Sequence, residues 1–170
     1  MASYSHIVAI VLIALAVAIA IIEYVLSLKW NARYFTIGIP IFISRIDRPS
    51  GLAGVSLETL QKGSATAAGA PLLFHELSPS AIAFREKPFS GSIHYAPIMR
   101  GLIRHTPGEP AVAVIGLVKW WLLAALIALA VLLGRSIVLI LPWVGGAIAI
   151  LYLIQGVRFW RVARALRGQP

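Results

Sequence analysis

Every residue from Ile7 to Ile22 is alanine, valine, isoleucine or leucine, and after Glu23 the apolar run resumes through Leu28 before Lys29 and Trp30 close it. About 22 residues rising ~1.5 Å each reach roughly 33 Å, the thickness of a bilayer's hydrocarbon core. The run predicts a transmembrane helix. A cleavable signal peptide is the rival reading, because Ala18 and Ala20 form a small-x-small pair where a peptidase could cut. Against it, Met1 to His6 carry no Lys or Arg and the apolar run continues past that pair.

The rest of the chain points the same way. Of 170 residues, 59% are hydrophobic and only 12% charged, beyond the roughly 45–50% apolar share of a soluble domain. A second apolar block runs from Ala111 to Leu133, interrupted by Lys119, Trp120 and Trp121, and a third from Ile137 to Val157 carries no charge. Only Gly134, Arg135 and Ser136 separate them, so the two spans are expected to form an antiparallel hairpin. Lys119, Trp120 and Trp121 read as interfacial anchors, as do Lys29 and Trp30, since Trp favours the headgroup level and Lys snorkels to it. The lipid-embedded part from Trp120 to Leu133 is then short, about 21 Å, so either the bilayer thins there or the helix begins earlier, within Ala111–Val118.

Orientation follows from the basic residues. Lys29 and Arg33 follow the first span, and Arg158, Arg161, Arg164 and Arg167 follow the third with no acid among them. Both clusters belong on the cytoplasmic side. That places the amino terminus outside and the carboxy terminus inside a bacterial-type inner membrane. The tail, with Trp160 among arginines at steps of three, predicts a basic helix lying on anionic lipid. A pI near 10.7 needs no nucleic acid to explain it.

Between Lys29 and Lys119 ten basic residues meet five acidic ones and Gly and Pro are frequent, the composition of a small water-facing domain. Phe35, Ile37, Ile39, Ile41 and Ile43 alternate at period two, which predicts a strand. Pro40 within it predicts an edge or a bulge. Ser56 is expected to cap a short helix that ends at Gly63, and residues 63–69 read as a loop. Further strands are expected at 71–77, 81–86 and 93–105. Thr106-Pro107-Gly108-Glu109 reads as a turn joining the last of these to Ala111–Val118.

The chain is therefore expected to be an integral membrane α+β protein. It has three transmembrane helices, one amino-terminal and then a carboxy-terminal helical hairpin, with a small β-rich soluble domain inserted between the first and second. The boundaries are 1–29 for the first helix, 30–118 for the domain, 119–157 for the hairpin and 158–170 for the basic tail.

Signals for chemistry are few. The absence of cysteine excludes disulfides, iron–sulfur clusters and cysteine nucleophiles. His6, His75, His94 and His105 show no metal-ligand spacing. The glycines match neither nucleotide-binding fingerprint, and no nucleophile elbow occurs. No catalytic, cofactor or metal residue is expected. Glu23 is the one charge inside an apolar span, and such an acid is functional by default; near the inner interface it can also serve structurally, by pairing with a base or reaching headgroup water. Pro142 with Gly145 and Gly146 predicts a kink or a close helix contact. The expected role is a non-enzymatic accessory or scaffold subunit of a larger membrane complex, in contact with membrane lipids and other integral subunits. The alternative is a membrane-tethered binding module for anionic headgroups or another anionic ligand.

Overall fold

The computed structural model describes residues 2–65, 70–87 and 97–169. Helix α1 (Ala2–Leu28) ends in a left-handed turn in which Trp30 donates to Ser27 and Asn31 to Leu26. Trp30 takes the positive φ of 51° that glycine normally supplies. What holds it there is packing: its ring stacks on Phe35 and His75, and Arg85 lies 4.7 Å from the ring centre.

Asn31 then caps a short helix α2 (Ala32–Thr36), accepting from the Tyr34 amide. The strand expected from Phe35 onward therefore begins later, as β1 (Pro40–Asp47). The side chain of Phe35 alternates with the isoleucines in sequence, but the Asn31 cap turns its backbone helical. The expectation about Pro40 is met in both forms. β1 is an edge strand, and its register slips between Pro40 and Phe42.

Helix α3 (Leu57–Ser64) starts at the Ser56 cap, whose hydroxyl accepts from the Thr59 amide. It runs through Gly63 instead of ending there. The glycine is present for space, because a Cβ at Gly63 would lie 2.8 Å from that of Ala165 on the neighbouring helix. Most of the loop expected at 63–69 lies outside the described residues.

Strands β2 (Leu72–Ser78), β3 (Ala81–Glu86), β4 (Met99–His105) and β5 (Ala111–Val118) form an antiparallel meander, and β1 joins beyond β5 to give the order β1-β5-β4-β3-β2. β4 starts later than the expected 93, and residues 93–96 of that expectation lie outside the described residues. The Thr106–Glu109 turn closes the β4–β5 hairpin with a 3.0 Å bond from the Glu109 amide to the Thr106 carbonyl, Gly108 taking a φ of 90°.

Beyond β5 come helix α4 (Trp120–Leu133), one 3-10 turn (Gly134–Ser136) and helix α5 (Ile137–Arg167). By length and composition α1 and α5 can cross a membrane; α4 is apolar but shorter. The expected three-residue link joins α4 to α5, and the main packing partner of α4 is α1. There Ile13, Ala16 and Ala20 face Trp121, Ala125 and Ala128 across an apolar groove of about 300 Å³.

α5 continues unbroken past Val157, so the expected surface-lying tail is the second half of a single helix. Phe159, Val162 and Leu166 on that half cover one face of the sheet, meeting Phe84, Ile103, Val112 and Val114. Gly116 admits Phe159: a Cβ there would lie 2.8 Å from its ring. The opposite face is covered in part by Tyr34 and Phe35 of α2 packed on Ala83. The carboxy-terminal end of α5 is tied down by buried Arg48, which donates to the carbonyls of Leu166 and Gln169, while Gln169 exchanges hydrogen bonds with the Ser56 backbone.

Candidate functional site

All three long helices meet the sheet at one level, and that level holds two buried ion pairs. Glu23 of α1 is 4% exposed. Its carboxylate accepts from the Trp120 amide at 2.9 Å and the Trp121 amide at 2.8 Å. Those are the first amides of α4, which have no partner inside their own helix. Lys119, the capping residue by position, gives no side-chain bond; the cap comes from another helix. A carboxylate there also complements the positive end of the α4 dipole.

The same carboxylate pairs with Arg100 of β4 at 3.1 Å. Arg100 donates further to the Ile37 carbonyl, and its guanidinium lies 4.1 Å from the Tyr34 ring centre and 5.8 Å from that of Trp120. Gly38 leaves room for it, since a Cβ would lie 2.6 Å from the Arg100 Nη2. The Tyr34 hydroxyl is buried in this cluster, and its pKa is pushed up to about 12, first by burial and then by the Glu23 charge.

A second buried cluster fixes α5. Gln155 accepts from the Ile98 amide at 3.1 Å and the Met99 amide at 2.8 Å, and donates to Glu86 of β3 at 3.2 Å. Glu86 pairs with Arg158 at 2.8 Å, and Arg158 also donates to the Ala70 carbonyl. The clusters are neighbours: the Lys119 amide donates to the Ile98 carbonyl at 2.9 Å.

Of the residues expected at the membrane interface, the structure brings Glu23, Lys119, Trp120 and Trp121 together. Lys29 is exposed at the end of α1, and Trp30 is half-buried in its aromatic stack. Arg161, Arg164 and Arg167 are exposed with Trp160, and Arg164 lies over the Trp160 ring. Arg158 departs from them. Each step of three residues sets a helix back by ~60°, so Arg158 points half a turn away from Arg167 and into the protein. Sequence reasoning missed Arg100, Gln155, Glu86 and Tyr34. No local pattern marks Arg100, which lies 77 positions from its partner.

Among the described residues no group of three or more metal-ligating side chains comes together. His94 lies outside those residues, as does the side chain of His6. Comparison with protein-family models, curated proteins and solved structures finds no match to this chain.

The arrangement has the chemistry of a clamp. Each acid and base of the two pairs has a partner within the chain, and the backbone amides from which Glu23 and Gln155 accept lie where helix and sheet meet.

Proposed function

We propose that the chain is a non-enzymatic accessory or scaffold subunit of a larger membrane protein complex. In this reading α1, α4 and α5 all cross the bilayer and the sheet domain stands on the cytoplasmic side with the basic residues, the amino terminus lying outside. One observation carries it. The first half of α5 is apolar on every side yet packs on little else in the chain, with Val138, Leu139, Leu141, Trp143 and Ile150 all exposed. Such a helix, rigidly joined to a clamped domain, presents its face to helices of other subunits, where close van der Waals packing supplies the attraction that lipid cannot.

Blue-native electrophoresis of gently solubilised membranes tests this. Migration far above the 18.3 kDa chain with fixed companions is the expected result, and a lone monomer defeats it. The second reading, a binding module for anionic headgroups or another anionic ligand, is favoured by the exposure of Arg161, Arg164 and Arg167 around Trp160. Replacing those three arginines by glutamine separates the readings: loss of binding to phosphatidylglycerol vesicles, with companions retained, speaks for the second role.

A further inference from the structure

Three independent lengths place the polar junction below the membrane surface, given the reading that the three helices span a bilayer. On α1 the anchor Lys29 lies six residues beyond Glu23, about 9 Å along the helix. On α5 the first exposed arginine, Arg161, lies six residues beyond Gln155, again about 9 Å. α4 has 14 residues and reaches only ~21 Å, about 9 Å short of a ~30 Å hydrocarbon core. Glu23, Gln155 and the start of α4 share one level, through the bonds to Trp120, Ile98 and Lys119 described above. The shortfall of α4 equals the distance by which the other two helices overshoot that level.

The surface changes character over the same interval. Ile37 and Ile39, at the base of the sheet, are 62% and 50% exposed. Three residues on from Ile39, an open apolar groove of about 260 Å³ runs between Phe42 and the Leu153, Val157 and Trp160 side chains of α5. Basic residues take over beyond it, with Arg33, Arg45, Arg161 and Arg164 exposed. That succession of apolar, aromatic and basic is the profile of a lipid interface.

We propose that the base of the β-sheet is sunk about 9 Å into the hydrocarbon, so that acyl chains cover Ile37, Ile39 and the groove at Phe42. Non-helical backbone survives at such depth only when its polar groups are satisfied within the protein. Among the described residues, the two clusters and two backbone bonds do this for these groups: Glu23 takes the amides of Trp120 and Trp121, Gln155 takes those of Ile98 and Met99, Ile98 accepts from Lys119, and Ile39 accepts from Val118. Glu23 and Gln155 occupy the places that water fills where a helix and a sheet meet in solution. α4 needs no thinned bilayer, because it begins inside one.

The chain has no cysteine, so single nitroxide labels can be placed at Ile39, Arg45 and Ile150 of the full chain reconstituted in phosphatidylethanolamine and phosphatidylglycerol vesicles. The expected result is that Ile39 resembles Ile150 on α5. Both collide with lipid-dissolved oxygen and exclude a water-soluble nickel complex, with an oxygen-to-nickel ratio several-fold above that at Arg45. Nickel access at Ile39 equal to that at Arg45, with Ile150 still in lipid, overturns the immersion and leaves the spans standing. Nickel access at Ile150 overturns both. Shielding of Ile39 from both reagents puts protein there and overturns the lipid assignment. Ile37 provides a second label at the same depth should the Ile39 variant fold poorly.

Discussion

The two Glu–Arg pairs that hold helices to the sheet are built in opposite senses. At the first junction the acid is on the helix and the base on the strand, Glu23 reaching to Arg100; at the second the base is on the helix and the acid on the strand, Arg158 reaching to Glu86. The first is the more enclosed, its side chains 1% and 5% exposed against 6% and 11%. They also divide their labour differently. Glu23 alone serves as ion-pair partner and as acceptor for two amides, whereas at the second junction Glu86 takes the ion pair and Gln155 takes the amides. One residue carries everything at the first junction, and two share it at the second.

Glu23→Ala therefore has the largest expected effect. It strands Arg100 and leaves two amides without acceptors, a loss of about 3–5 kcal/mol by the cost of breaking a buried pair, with more from the amides. Thermal unfolding in detergent checks it, against Glu86→Ala as the contrasting case. Glu86→Ala should cost clearly less, since Gln155 keeps its backbone bonds; equal losses erase the distinction between the junctions.

Gln155→Ala is expected to be intermediate, about 1–3 kcal/mol for leaving the Ile98 and Met99 amides unpaired in a buried place. Amide hydrogen exchange sharpens the comparison. Met99 should exchange faster while Trp120 and Trp121 keep their protection, and common loosening of all of them means that the junctions are a single unit.

The smallest effect belongs to Tyr34, and it separates the junctions by pH. The folded protein holds the phenolic proton to about pH 12, against ~10 in the unfolded chain. Between those values the unfolded state binds fewer protons, so stability falls as pH rises. Melting temperature should drop through this window in the wild type and less steeply in Tyr34→Phe. Identical slopes remove Tyr34 from the account of the first junction.

Much of the fold can be read from local sequence. Ser56 does cap its helix, Pro107 and Gly108 do make the turn, and the Lys119–Trp121 cluster does mark where β5 gives way to α4. These signals depend on neighbours a few positions apart. Phe35 misled because the period-two pattern of isoleucines ran back past Pro40 into a segment that Asn31 turns helical. Arg158 misled because its three followers face outward and it does not. The clamps stayed hidden for a stronger reason: Glu23, Arg100, Gln155 and Glu86 are scattered over α1, β4, α5 and β3, and each looks like an isolated polar residue until the strands are registered. Of the candidate site, only Glu23 and the Lys119–Trp121 cluster announced themselves.

The cover that α5 provides for the sheet has a consequence during synthesis. The strands are all made by Val118, but Phe159, Val162 and Leu166 come off the ribosome about 40 residues later, at ~5–20 residues per second. For several seconds Phe84, Ile103, Val112 and Val114 form an apolar surface with no lid. The nascent sheet must wait unfinished, or be shielded by a chaperone or the insertion machinery, until α5 closes over it.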